Sequence, residues 1–205
     1  MQKSIKISII VAVVVIGGFL ASPLFYQTQV NEPLPDALNK LEPGLTYDKF
    51  VNMDEEKRQP IVEKMSDQVK DLVMKEAADS PTSVSETMND LMKNTTQMEP
   101  VILKTGQFEG LLGHQASGTA KIIKVNNMTY LRFENFQVTN GPDLHVYITP
   151  DGNVQNGIHL AKLKGSVGDQ NYLLENVDLE TFNTAVIYCQ PFGVYFGQAK
   201  LSQMI

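Results

Sequence analysis

The sequence has few of the residues and motifs on which most enzyme chemistry depends. Its 205 residues include one cysteine, three histidines and no tryptophan. A single cysteine cannot form a disulfide within the chain, and the absence of Cys-x-x-Cys-His excludes covalent haem attachment. There is no glycine-rich phosphate loop, no Gly-x-Ser-x-Gly and no plausible catalytic triad. A hydrolase or transferase is therefore not expected, and a redox role is the chemistry left open.

The chain is also poor in clustered positive charge. Seventeen basic and twenty-three acidic residues give a net charge of −6. Beyond the start of the chain the basic residues form no stripe, which proteins need in order to neutralise phosphates. We therefore expect no nucleic-acid partner.

The most apolar stretch lies at the amino terminus. Ile7 to Tyr26 contains no charged residue, and about 20 apolar residues are enough for a helix to cross a bilayer. Lys3 and Lys6 precede it, so the positive-inside rule predicts a single-pass cell-membrane protein with an extracytoplasmic body. These features predict a signal-anchor over residues 1–26, through which the protein would bind the membrane. A cleaved signal peptide is the alternative, with a weak site at Leu20-Ala21-Ser22.

Residues 27–105 are polar and predict a stalk or linker of short helices. Thr46 is placed to cap a turn that starts at Tyr47, and Pro60 to open a helix that runs to Ala78. Ser83 and Glu86 have the spacing of a capping box. Long helices are excluded because prolines recur, at Pro33, Pro35, Pro43, Pro60, Pro81 and Pro100.

The apolar stripes of these helices are narrow, which leaves two alternatives. They lie against the following domain or each other, or they form a coiled-coil dimer seam, although fewer than the usual three or four heptads are present. Asn94 and Asn127 each begin a glycosylation sequon, which an exported chain would expose to modification.

Residues 106–205 predict an all-β fold, an antiparallel β-sandwich. Short alternating runs are separated by turn residues, and Asn126-Asn127 fits a two-residue hairpin that sets Ile122 opposite Leu131 and Ala120 opposite Phe133. About seven strands fit into about 96 residues, the usual size of one sandwich. They are Thr119–Val125, Met128–Phe133, Leu144–Ile148, Ile158–Leu163, Asn171–Leu174 and the two strands of a hairpin around Gln190–Gly193.

That last hairpin carries Cys189 at the end of its first strand. Its strands are rich in Val, Ile, Tyr and Phe on both faces, as expected for buried strands. Pro191 and Gly193 suit the second and fourth positions of the turn. Cys189 is therefore the first residue to consider for function.

Short motifs in this region resemble the DM-thirteen domain, the small β-sandwich that accompanies DOMON modules in Skeletor-type proteins. The resemblance covers residues 106–201 and depends on the order and spacing of the motifs together. The motifs are Gly106-Gln107-Phe108, His114 to Ala120, Phe133 to Phe136, Gly141 to Tyr147, Leu163 to Tyr172, Val186 to Cys189 and Phe196 to Leu201.

The resemblance implies an extracytoplasmic sandwich whose one strand cysteine takes part in electron transfer. Cys189 matches that cysteine, so the sequence predicts a membrane-anchored redox module with a membrane or surface redox protein as its partner. No DOMON or cytochrome segment accompanies it, which weakens the case for an attached haem partner. The alternative is a cell-surface binding or structural module in which Cys189 only fills the core.

Other side chains have two interpretations each. Tyr147, Tyr188 and Tyr195 form an aromatic route from Cys189 to the surface, or they reflect the strand preference of tyrosine. Asp143 caps its turn through an Asx bond, or acts as a carboxylate near Cys189.

No cofactor is identified from the sequence, and non-covalent haem or copper is not favoured. Two histidines and the cysteine, His114, His145 and Cys189, are a weak alternative as a copper site. No histidine follows Cys189, which is contrary to the usual order in such sites. His159 is the third histidine of the chain.

Overall fold

The computed structural model describes residues 32–92 and 99–203. The predicted signal-anchor and the sequon at Asn94 lie outside these residues. Within them, no helix has both the length and the apolar character needed to cross a bilayer. The helices and strands that follow all belong to one compact unit, Leu34–Ile205.

Ten strands of the described residues form two five-stranded sheets. Sheet 1 has the order β1-β8-β5-β4-β2 and sheet 2 the order β3-β10-β9-β6-β7. All pairings are antiparallel except that of β1 with β8. The strands are β1 Ser83–Ser85, β2 Val101–Gln107, β3 Glu109–Gly110, β4 Ala116–Val125, β5 Met128–Val138, β6 Leu144–Thr149, β7 Ile158–Lys162, β8 Val167–Leu174, β9 Thr184–Cys189 and β10 Val194–Lys200.

The predicted β-sandwich is confirmed, and its seven predicted strands correspond to β4 to β10. The β4–β5 hairpin has the expected register, with Ile122 opposite Leu131 and Ala120 opposite Phe133. Asn126 has a φ of 55°, the left-handed backbone that the turn requires and that asparagine tolerates. Asn127 is exposed in the same turn.

The core lies between the sheets. In β6, Leu144, Val146 and Ile148 are buried while His145 and Tyr147 are only partly so, as the alternating pattern predicted. Phe108, which precedes β3, packs edge-on against Phe133 at 4.8 Å between ring centroids.

Five helices are described: α1 Leu34–Leu41, α2 Tyr47–Val51, α3 Glu55–Val62, α4 Asp67–Ala78 and α5 Met88–Met92. Thr46 caps α2 as predicted, since its hydroxyl accepts from the Lys49 amide. The prediction that a helix starts at Pro60 is wrong. Pro60 lies in the last turn of α3, which ends at Val62, and Ser66 caps α4, which runs to the predicted end at Ala78.

The predicted capping box at Ser83 and Glu86 is also wrong, because Ser83 belongs to strand β1. Thr87 and Asp90 form the reciprocal cap of α5, each side chain accepting from the other residue's backbone amide. Glu86 instead binds Lys164 and accepts the amide of Asn171 on β8.

Helices α1 to α4 bury a second apolar cluster, which includes Leu38, Phe50 and Val73. Their apolar faces are used within the same compact unit, which corresponds to the first of the two alternatives given above. Strands β1 and β2 begin before residue 106, where the sequence placed the start of the sandwich, and both belong to sheet 1. A 3₁₀ turn, Val154–Asn156, precedes β7.

Gly168 supplies a test of the β1–β8 contact. It has a φ of +107°, and an added Cβ would lie 1.9 Å from the carbonyl oxygen of Val84. We expect Gly168→Ala to lower the free energy of unfolding by about 2–4 kcal/mol, because strain and overpacking add. Chemical denaturation measures this.

The matched control is Gly113→Ala. Gly113 has a φ of +86° but no atom within 4 Å of the added Cβ. Only the backbone strain remains there, so a loss of about 1 kcal/mol is expected. Equal losses for both variants would show that β1 moves away at little cost.

Candidate functional site around Cys189

Cys189 is the last residue of β9, where it lies opposite Leu144 of β6 and Val194 of β10. Its side chain is fully buried among the core residues, and it is a free thiol. The hairpin predicted after it is confirmed, since the Gly193 amide donates to the Cys189 carbonyl and Gly193 has a φ of 65°.

Burial raises the pKa of the Cys189 thiol to about 12. The charge of Asp143 also raises it, whereas the Arg58 guanidinium and the backbone amides of Phe192 and Asp143 lower it. Burial outweighs these amides and the cation. The sulfur is therefore protonated at neutral pH, and reactions that need a thiolate are disfavoured in this structure.

Asp143 lies next to this sulfur and carries a buried charge. Its Oδ2 accepts from Nη2 of Arg58 at 2.6 Å, and its Oδ1 lies 2.8 Å from Nζ of Lys162. The Arg58 and Asp143 side chains are 2% and 7% exposed. Burial alone would raise the pKa of Asp143, but His145, Lys162 and Arg58 together lower it well below its usual range. Asp143 thus forms ion pairs rather than the predicted Asx turn.

Arg58 reaches Asp143 from helix α3. Its guanidinium also donates to Glu55 and to the Val51 carbonyl oxygen, and it lies 5.9 Å from the ring centroid of Phe50. These contacts satisfy a cation that would be costly to bury alone.

Two histidines continue from Asp143 towards solvent. Nε2 of His145 lies 3.2 Å from Oδ1 of Asp143, an electrostatic contact without hydrogen-bond alignment. Nδ1 of His145 lies 2.8 Å from Nε2 of His159, which is exposed on β7. Burial, followed by the charge of His145, lowers the pKa of His159.

The three predicted tyrosines do lie together. Ring centroids are 5.9 Å apart for Tyr147 and Tyr188 and 5.0 Å apart for Tyr188 and Tyr195. They lie side by side across β6, β9 and β10, on the outer face of sheet 2. Because side chains alternate along a strand, Tyr188 and Cys189 point to opposite faces. The sulfur is therefore not part of this aromatic row.

Another tyrosine, Tyr47 of α2, lies at this end of the sandwich, beside a cleft that Asp143 also lines, and was not predicted. Burial, then the charges of Glu76 and Cys189, raise the pKa of Tyr47 to about 12. Arg58 and Lys162 were missed as well. No local pattern marks these three residues, because each reaches the site through tertiary packing.

The weak copper alternative finds no support in the described residues. His114 stacks on Phe196, with ring centroids 3.7 Å apart, and burial lowers its pKa. Within residues 32–92 and 99–203, no three histidine, cysteine or acidic side chains are grouped so that they could hold a metal ion. His114, His145 and Cys189 are not brought together as ligands.

The Asp143 charge predicts a pH dependence of stability. We expect Asp143→Asn to lower the free energy of unfolding by about 3–5 kcal/mol at pH 7, because Arg58 would remain buried without its main partner. The folded-state pKa lies below the unfolded value of about 4, so this stabilisation is present above pH 4 and is lost as the pH falls. The difference between wild type and variant should therefore shrink from pH 7 to pH 3 in denaturation experiments.

Asp151→Asn is the control, since Asp151 is exposed and bonds only within its own turn. It should change stability little. A wild-type advantage over Asp143→Asn that stays constant down to pH 3 would contradict the ion-pair description.

Comparison with known proteins supports the sequence resemblance. A family model described as electron transfer DM13 matches residues 107–201, which include Asp143, His145, His159 and Cys189. Searches of curated proteins and of solved structures found no match. Residues 107–201 therefore form a DM13 domain, the family whose motifs the sequence carries.

Proposed function

We propose that this protein is a membrane-anchored, extracytoplasmic electron-transfer module that uses Cys189. The observation that carries the proposal is the position of the single cysteine. It lies within the matched electron-transfer domain, in the apolar core, and its sulfur accepts from the backbone amide of Asp143, whose carboxylate pairs with Arg58. A cysteine that only filled space would need no such neighbours.

The protonated state of the thiol selects the chemistry. A thiolate is needed for disulfide exchange and for sulfenic acid formation, so these two-electron routes are disfavoured. The remaining route is one-electron transfer. The Cys189 thiol gives one electron to an oxidised metal or haem centre of a partner protein, its S–H bond breaks, and the proton passes to a base. A reduced partner returns the electron, and the thiyl radical takes up a proton again.

Asp143, His145 and His159 form a row of polar side chains that leads from this end of the core to solvent, although the Asp143–His145 contact is not aligned as a hydrogen bond. The row runs from a 7% exposed carboxylate to an exposed imidazole, with successive separations of 3.2 and 2.8 Å. Imidazoles exchange protons near neutral pH, which suits them to connect a buried site with solvent.

The second candidate is a surface binding or structural module with an inert cysteine. One observation favours it, namely that Cys189 is fully buried. Buried cysteines usually act as small apolar residues.

The two candidates differ in their response to a strong one-electron oxidant. We expect the full-length protein to transfer one electron per chain under anaerobic conditions and to give a spin-trapped thiyl radical by electron paramagnetic resonance. Cys189→Ser should lose both signals, because it keeps the size of the side chain but not its redox chemistry. Tyr188→Phe is the control and should retain the thiyl signal. Equal electron uptake by wild type and Cys189→Ser would favour the inert cysteine.

The membrane part of the proposal has its own test. The uncharged run Ile7–Tyr26 supports an anchor with residues 27–205 outside the cytoplasm. We expect the full chain to sediment with membranes and to be digested by protease added outside spheroplasts or sealed cells. Deletion of residues 1–26 should leave the remaining chain in the soluble fraction. Protection of the full chain from external protease would overturn the predicted orientation.

A further inference from the structure

Helices α1 to α4, residues 34–78, cover the end of the sandwich that holds Cys189. They precede the matched DM13 region, which begins at residue 107. Phe192, in the turn after Cys189, packs against both the sandwich core and the helical cluster. Its ring stacks with that of Phe50 at 6.1 Å between centroids. Below, these four helices are called the lid.

The lid also contacts residues that border the thiol. Tyr47 and Arg58 both interact electrostatically with Cys189, and Arg58 forms the buried ion pair with Asp143. The Phe192 amide bonds to the Cys189 sulfur, so the residue against which Phe50 of the lid stacks also borders the thiol.

Few contacts attach the lid to the matched domain. Besides Phe50–Phe192 and Arg58–Asp143, the Asn140 amide donates to the Ala77 carbonyl oxygen at 3.1 Å and Nζ of Lys162 to the Val51 carbonyl oxygen at 3.5 Å. Met74 of α4 also packs against the sandwich core. A cavity of about 310 Å³ opens along the same boundary, between Tyr47 and Val51 on one side and Gly141 to Leu144 on the other. The boundary thus includes an open cleft beside these contacts.

The lid buries an apolar cluster of its own, so its helices do not depend wholly on the sandwich for burial. Leu38, Phe50 and Val73 are fully buried within it. Opening the boundary would break the Arg58–Asp143 pair and expose Phe192, while the helices keep most of their mutual contacts. Structures open preferentially where few apolar contacts must be broken.

We propose that the lid opens as a unit and thereby controls access of solutes and redox partners to Cys189. The inference rests on the proposed function only in that electron transfer gives the opening of the lid a purpose. The accessibility of the thiol is measured without any electron transfer, so failure of one proposal is distinguishable from failure of the other.

The test is the rate at which a small neutral thiol reagent, iodoacetamide, modifies Cys189 in the full-length protein under native conditions. Hydrogen exchange of the β5 amides, in the centre of sheet 1, reports global unfolding. We expect wild-type Cys189 to become accessible more often than the β5 amides, and at the same frequency as the amides of the lid helices.

Arg58→Met weakens the lid attachment and should raise the modification rate at least about tenfold, which corresponds to about 1.4 kcal/mol of easier opening. Arg132→Met is the matched control. Arg132 is equally a buried arginine, bonded to Glu134, Asp169 and Asn171, but it belongs to sheet 1. The Arg132→Met variant should accelerate β5 exchange and Cys189 modification by the same factor.

The proposal is overturned if Arg58→Met and Arg132→Met raise the modification rate equally relative to β5 exchange. It is also overturned if wild-type Cys189 is modified no faster than the β5 amides exchange. The second comparison needs no variant, so it decides the matter even if Arg58→Met does not fold.

Discussion

A buried carboxylate at one end of the sandwich sets the arrangement of the surrounding groups. Asp143 precedes β6 and is held by Arg58, which lies 85 residues earlier in the chain, and by Lys162 of β7. A buried charge is tolerated only where opposite charge and hydrogen bonds replace water. Helix α3 must therefore stay against this end of the sandwich as long as the carboxylate is buried. The ion pair joins the helical segment to the β-sheets.

The same arrangement defines the environment of Cys189. The thiol lies between an apolar core and an ion pair, and burial outweighs the stabilisation that a nearby guanidinium would give a thiolate. Nucleophilic sulfur chemistry is thus disfavoured, whereas the proposed one-electron role does not require a thiolate. A cysteine with these properties suits an electron-transfer domain better than a thiol–disulfide enzyme, whose cysteine needs a lowered pKa.

Patterns with a short period were predicted well. The β4–β5 register followed from paired apolar residues around Asn126-Asn127, and the alternation in β6 followed from the two-residue period of a strand. Thr46 was recognised because its side chain bonds only three residues away. Errors arose where competing local signals coexist. Pro60 is compatible with the first turn of a helix, but it lies near the end of α3. Ser83 has the spacing of a helix cap, but it pairs in parallel with Val167 of β8.

The amino-acid sequence by itself determined the β-sandwich, its hairpins, the position of the single cysteine at a strand end and the family of residues 107–201. These features depend on alternation, turn residues and motif order, all of which are local along the chain. Only the tertiary structure decided that Arg58, Tyr47 and Lys162 surround the Cys189 end, that Asp143 forms a buried ion pair and that the predicted tyrosines lie on the opposite face from the sulfur. Long-range packing of helices on sheets has no period in the sequence, so the partners of a buried charge become known only when the chain is folded.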